Sequence, residues 1–271
     1  MNGDGCLVAV DVGNTAVKLA VRRGDKTKYT KLISDLTISI SGDNWVQDAM
    51  AWVRDQAECR ETHWRIASVQ RDAAERLANA IGNDKNVMLV GHRDVPMKVQ
   101  VRSPERLGID RLLSAYEANN LYHGPLIVAD AGSAVTVDYV DAQGTFCGGA
   151  ILPGISLQLQ SLARGTDLLP HVRLGDESTK LEIPGKETVE AIRLGVIMSV
   201  AGAIDRLVSL YQNQPDLPAE SALLVVTGGD ATTLASYIQE PHEVEPNLVC
   251  RGLLDLTSNT GETPDPAVML E

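Results

Sequence analysis

Aromatic residues are scarce, with one Phe, three Trp and six Tyr in 271 residues. The interior therefore has to be aliphatic, and a hydrophobic content of 44% with 22% charged residues is enough to build a sizeable one. Basic charge is short as well: 24 Lys and Arg against 36 Asp and Glu leave a net charge of −12. That excludes a broad nucleic-acid or acidic-membrane surface, whose affinity rests on Lys and Arg. It leaves room for an anionic substrate, because a nest of backbone N–H groups can hold phosphate on an acidic protein. No apolar run approaches the roughly 20 residues of a membrane span. The start, MNGDGCLVAVD, lacks a basic segment followed by a long apolar one, so no signal peptide and a cytoplasmic location are expected. Cys6, Cys59, Cys147 and Cys250 form no C-x-x-C pair and have no His at metal-ligand spacing. Cys6 and Cys147 lie in apolar strand contexts and read as buried free thiols. The five His show no metal-type spacing either, and His92, within GHRD, reads as a surface residue.

What is present is a pattern that occurs twice. The first segment reads strand (Leu7–Val12), turn, strand (Ala16–Arg22), polar turn, strand (Tyr29–Ile33), then a helix over Trp45–Glu58. A buried strand (Trp64–Val69), a helix in QRDAAERLANAI and a strand (Val87–Val90) follow. LGIDRLLSAYEANNLY sets Leu112, Leu113, Tyr116 and Asn120 along one side of a helix, with Asp110 and Arg111 at its N-terminal end. From Leu126 the order returns: LIVAD, a glycine turn, AVTVDYV, a turn, FCGGAIL. Helices over Pro153–Ala163 and Thr188–Leu210, a strand in ALLVVTGGDA and a helix from Ala231 complete it.

Setting Asp11 on Asp130 aligns Asp-Val-Gly-Asn-Thr-Ala-Val with Asp-Ala-Gly-Ser-Ala-Val-Thr, together with the flanking strands. The spacing is too long for a solenoid. It predicts a duplicated domain, with halves at 1–120 and 121–271, each opening on a β-β-β meander. The C-terminal stretch TSNTGETPDPAVMLE reads as a loose tail.

A glycine between two strands allows positive φ and close approach to the backbone. With Asn14 and Thr15 beyond Gly13, the turn offers N–H donors, an amide and a hydroxyl, the groups a phosphate chain needs. Asp11, at the end of a buried strand, is costly as a bare charge. A Mg²⁺ ion held partly through waters and phosphates suits a single carboxylate. Asp-x-Gly-Asn-Thr also makes an ordinary Asx-capped hairpin turn. Two copies at equivalent positions favour facing phosphate loops across a cleft.

The duplicated meander with acidic-glycine turns resembles the actin, Hsp70 and sugar-kinase superfamily, whose halves are ribonuclease H-like, α/β with a five-stranded mixed sheet and flanking helices. Within it, DVGNTAVK (Asp11–Lys18), GIDR (Gly108–Arg111), DAGSAVTVD (Asp130–Asp138) and GGAILPG (Gly148–Gly154) resemble type III pantothenate kinase. GKETVEAIRLG (Gly185–Gly195) and TGGDA (Thr227–Ala231) do so in the same order, and the likeness runs from Leu7 to Leu253.

The resemblance implies an ATP-dependent phosphorylation of pantothenate to 4'-phosphopantothenate, the first step of coenzyme A biosynthesis. Asp11, Val12, Gly13, Asn14, Thr15, Ala16, Val17 and Lys18 would cradle the ATP phosphates with Mg²⁺ indirectly on Asp11, a solvated residue being the alternative reading of Lys18. Ser133 would touch ATP. Gly108, Ile109, Asp110, Arg111 and Thr188 would hold pantothenate, with Asp110 as the proton acceptor and Arg111 on the substrate carboxylate. Asp110 alone would read as an ordinary helix N-terminal acid, and Thr188 as an N-cap. Asp130 is implied to bind a monovalent cation, K⁺ or NH₄⁺. Two positions depart from the family pattern: Ser133 stands where Thr is usual, and Val99–Leu107 has no aromatic residue. A non-catalytic, ATP-binding regulatory protein and a kinase of another small hydroxyl acceptor are the alternatives. The apolar run in VEAIRLGVIMSVAGAIDRLVSL predicts a homodimer through the second half, as does the resemblance.

Overall fold

The computed structural model describes residues 5–23, 34–42, 44–57, 59, 61–82, 86–174, 181–214 and 222–256. The first sheet holds β1 (Gly5–Val12), β2 (Ala16–Arg23), β3 (Ser34–Ser39), β4 (Glu61–Ser68) and β5 (Val87–Leu89), in the order β3-β2-β1-β4-β5. The second holds β6 (Leu126–Ala131), β7 (Ala134–Val140), β8 (Phe146–Pro153), β9 (Leu223–Thr227) and β10 (His242–Val244), in the order β10-β9-β6-β7-β8. In each, three strands form an antiparallel meander and two more run parallel to its first strand. Read from the opposite edge, the second sheet repeats the order of the first. The expected duplication of a five-stranded mixed sheet is what the chain builds.

The described residues separate into two compact units. One contains those up to Lys98, Arg102–Glu117 and those from Asn247 on, and the other contains Val99–Val101 and Ala118–Pro246. In the first unit, alternation places Val8, Val10 and Val12 with Val17, Leu19 and Val21 in one core. They pack with Trp45, Val53 and Leu77 of α1 (Trp45–Ala57) and α2 (Arg71–Ile81). Each such burial is worth about 1.5–3 kcal/mol. In the second unit, α5 (Thr188–Gln212) turns Ile192, Val196, Val200, Ile204 and Val208 onto Ile127, Ala129, Val135 and Val137, beside α4 (Ile155–Gly165) and α6 (Ala231–Ala235).

A division at 120/121 puts everything after it in the second half, and α7 (Leu248–Asp255) departs from this. It packs on β1, β2 and β4 of the first unit. Its apolar residues Leu248, Val249, Leu253 and Leu254 are buried. The last carbonyls of a helix need donors from outside it, and two arginines supply them. Arg65 Nη1 donates to Leu253 O at 2.7 Å, while Arg22 donates to Leu254 O and pairs with Asp255. Arg65 is buried, and that burial, followed by the charge of Arg22, pulls its pKa down against the opposing pull of Asp255. α3 (Ile109–Tyr122) crosses α7 closely, since a Cβ at Gly252 would stand 2.9 Å from Leu113 O.

Other boundaries move by local rules. The expected strand at 29–33 lies outside the described residues. The observed β3 follows the alternation of Leu36, Ile38 and Ile40, of which Ile38 and Ile40 pack on the core. Pro153 closes β8 instead of opening α4. The tail from Thr257 lies outside the described residues. The reading of Cys6 as a free thiol is overturned: it is paired with Cys59, Cα to Cα 5.9 Å. Cys59 sits just past α1 where the chain returns toward β4, opposite Cys6 on β1. Cys147 is free and half-buried, and burial and then Asp141 push its thiol up.

Candidate active site

The β1–β2 hairpin closes with Gly13 N–H donating to Ala16 O at 3.0 Å. A Cβ at Gly13 would lie 3.1 Å from that same carbonyl, a tight contact that glycine avoids. Neighbouring elements claim the loop's carbonyls. Val69 N–H donates to Val12 O at 3.1 Å, Ile40 N–H to Thr15 O at 3.1 Å, and Gln70 Nε2 to Asn14 O at 3.0 Å. Asn14 and Thr15 are exposed on this pinned loop. Asp11 is 8% exposed and lies between Lys18 of β2 and Ala67 of β4.

The face of the sheet that carries α7 brings Cys250 under this loop, its thiol donating to Lys18 O at 3.6 Å. Burial first, then the negative charge of Asp11, push that thiol far above its ordinary value of 9.0. The folded state therefore keeps a proton that the unfolded chain loses. The resulting stability is complete below about pH 9 and declines as the pH rises beyond it, by up to about 1.4 kcal/mol per unit. Urea unfolding at pH 8 and pH 10 is expected to show a shallower decline for Cys250→Ala than for the native protein. Parallel declines would refute this account of the thiol.

The Gly108–Arg111 motif opens α3. Asp110 curls back so that a Cβ at Gly108 would lie 2.4 Å from its Oδ1, and this same oxygen accepts Arg111 N–H at 2.9 Å. Asp110 and Arg111 are half-buried, between the buried Ile109 and Leu112. His92, read from sequence as a surface residue, is half-buried, and its Nε2 meets Leu107 O at 2.6 Å, directly before the motif. The stretch without an aromatic splits: Val99 bridges to Phe146, and Leu107 is buried.

In the second unit, three turns meet at one end of the sheet. The β6–β7 hairpin closes with Gly132 N–H on Ala134 O at 3.1 Å, the counterpart of the Gly13 closure. Gly154 N–H donates to Ser133 O at 3.0 Å, and a Cβ on Gly154 would lie 2.0 Å from Gly132 O. Gly228, at φ +98°, packs on Ala131, whose carbonyl also accepts Asp230 N–H at 3.0 Å. Asp130 and Ser133 are half-buried at this junction, so the structure brings these two predicted residues together.

Thr188 is placed elsewhere. It lines an open, largely apolar groove of about 870 Å³ between α4 and α5, with Leu162, Leu169, Ile192 and Val196. Ser199 Oγ donates to Gln158 Oε1 at 2.7 Å near the start of α4, and Thr188 lies about 16 Å from Ser199 along α5. Nor is Thr188 the cap of its helix. Glu187 is, in a capping box with Glu190, whose Oε2 accepts Glu187 N–H at 3.2 Å.

Two like-ordered sheets, each opening on an Asp-x-Gly hairpin, define the fold of the actin, Hsp70 and sugar-kinase superfamily. Solved structures of similar fold agree. A Baf family transcriptional activator from Campylobacter jejuni aligns with a TM-score of 0.58 at 21% identity over 92% of this chain and 96% of its own. The activator of the 2-hydroxyisocaproyl-CoA dehydratase from Clostridium difficile, with bound ADPNP, aligns at 0.55 and 14% identity over 93% and 92%. The sequence is more specific. The profile of type III pantothenate kinase matches residues 7–210. The type III pantothenate kinase of Rhodopirellula baltica is 40% identical over 92% of this chain and 97% of its own, and that of Paramagnetospirillum magneticum 30% identical over 92% and 96%. The chain belongs to the type III pantothenate kinase family.

Proposed function

We propose that this protein transfers the γ-phosphoryl group of ATP to the primary hydroxyl of pantothenate, giving 4'-phosphopantothenate for coenzyme A biosynthesis. The observation that carries the reading is the family membership, with Asp11, Asp110, Arg111 and Asp130 all in motif positions. No feature of the chain favours the regulatory alternative. Phosphoryl transfer asks for positioning and charge neutralisation more than covalent chemistry. Asp110 accepts the hydroxyl proton, Arg111 holds the pantothenate carboxylate, and the Asp11–Lys18 hairpin with Ser133 holds the nucleotide.

Asp11 suits a Mg²⁺ ion that is carried by the nucleotide. Among the described residues no group of three or more His, Cys, Asp or Glu could hold a metal ion, so phosphates and waters supply the other ligands. Asp130, followed by the turn carbonyls of Ala131–Ser133, suits a large, weakly hydrated monovalent cation. The apolar groove of α4 and α5, with Leu157 (47%) also exposed on α4, accepts a second copy of the chain and makes a homodimer. Thr188, distant from Ser133 within its own unit, then serves the neighbouring subunit's pantothenate. Among the described residues no helix is long and apolar enough to cross a membrane, and a cytoplasmic location suits the pathway. The test is phosphorylation of pantothenate by the purified protein with ATP and Mg²⁺, in K⁺ and then Na⁺, with sedimentation giving its mass. Turnover that depends on K⁺ in a species of twice the chain mass is expected. ATP hydrolysis indifferent to pantothenate would point to another acceptor, and a monomer would remove the assigned role of Thr188.

A further inference from the structure

We infer that His92 is a positioning residue for the acceptor half of the reaction. Its imidazole holds the carbonyl of Leu107 and so sets the turn from which Gly108, Asp110 and Arg111 are presented. The inference rests on the proposed role of Gly108–Arg111.

A carbonyl oxygen only accepts, so in the 2.6 Å contact the His92 Nε2 carries the proton and donates it. The ring projects from a short helical turn, His92–Asp94, that is anchored at both ends. Val90 N–H donates to Ile66 O of β4 at 2.8 Å. The Asp94 carboxylate accepts Gly91 N–H at 2.8 Å, and Asp94 N–H returns to Gly91 O at 3.1 Å. Val90 and Val95, on either side, are buried. The donor is therefore referenced to β4 of the first sheet.

The receiving end has little slack. Leu107 is buried, its N–H donates to Pro104 O at 3.1 Å, and its carbonyl is the one His92 holds. The next carbonyl, Gly108 O, accepts Leu112 N–H at 3.3 Å and starts α3. With both polar groups of Leu107 engaged, the direction in which the chain enters Gly108 is defined. Asp110 Oδ1 already lies so near Gly108 that a methyl group would not fit between them. A rotation at Leu107 consequently moves the carboxylate against its acceptor hydroxyl, and reacting groups tolerate little misplacement. A tie serving only stability would lower stability without distinguishing pantothenate from ATP.

The experiment compares His92→Phe, which keeps a ring and removes the donor, with His92→Gln, whose amide nitrogen restores a donor near the Nε2 position. Steady-state kinetics are measured separately in pantothenate and ATP, with amide hydrogen exchange of residues 107–113 in the ligand-free protein. His92→Phe is expected to lower kcat/KM for pantothenate about 10-fold. Its KM for ATP should stay within about twofold, and exchange at Ile109–Leu112 should speed up. His92→Gln should return both readouts to near native. Native kinetics in His92→Phe, equal losses in both variants, or a loss shared equally by ATP and pantothenate would each overturn the inference. Asp110→Asn, run alongside, separates the two levels. If it turns over normally, the acceptor-site reading fails and takes this inference with it. If it is inactive while His92→Phe is native, this inference fails alone.

Discussion

Asp110→Asn is expected to lower kcat for pantothenate by at least about 100-fold while leaving ATP affinity within about twofold. The asymmetry follows from what the carboxylate does. As a proton acceptor at the start of α3 it is needed when the hydroxyl–phosphorus bond forms, and general bases contribute roughly 10²–10⁴-fold. Asparagine keeps the size of the side chain and an oxygen to accept Arg111 N–H, now 2.9 Å from Oδ1. It also fits over Gly108 as the aspartate does. The helix start therefore survives, and the lost quantity is proton affinity. Turnover numbers at saturating pantothenate, with ATP binding by calorimetry, decide the matter. Native turnover would remove Asp110 as the base, and a parallel loss of ATP binding would make the residue structural.

Gly228→Ala is expected to be the more damaging change to the fold. At φ +98° an alanine is strained, and its Cβ would stand 2.2, 2.5 and 2.6 Å from the O, C and N of Ala131. Those atoms are backbone of β6, immediately after Asp130, and they are fixed by pairing with β7 and by Asp230 N–H. Neither side can yield without opening the hairpin that carries Ser133. A loss of about 3 kcal/mol or more is expected, at the upper end for a single substitution. Denaturant unfolding should show an earlier midpoint, and ATP affinity should fall with it because the affected turn carries Ser133. Gly229→Ala is the control one residue on, where a Cβ would meet nothing within 4 Å and a near-native protein is expected. Comparable loss in both would show that the loop tolerates no side chain at all, and the contact with Ala131 would not be the cause.

The fold was legible from the sequence wherever a short-range pattern carried it. Alternating valines around Asp-Val-Gly-Asn-Thr and Asp-Ala-Gly-Ser-Ala specify two hairpins, because side chains alternate across a strand and the small polar residues between the runs favour a turn. The helix beginning at Gly-Ile-Asp-Arg was legible for the same reason, its buried Leu112, Leu113 and Tyr116 recurring at helical spacing. β10 and α7 were missed. β10 is three residues long, and α7 is a short apolar stretch behind a Pro-Asn step. Nothing local announces that such a helix returns to the first sheet. His92 was misread because a lone imidazole in a polar loop has the same local signature whether it faces water or a carbonyl 15 residues away.

The sequence by itself determined the two Asp-x-Gly hairpins, the acidic motif at the head of α3 and the family to which the chain belongs. These depend on residues adjacent in the chain, whose spacing and chemistry are visible without a fold. Tertiary structure decided the rest. It seated α7 on β1 and β4 through Arg65, 188 residues from its acceptor. It joined Cys6 to Cys59 across 53 residues, and it set Thr188 in a groove between α4 and α5. Each of these is a contact between distant segments, fixed by how apolar faces pack and by which buried carbonyls still need a donor.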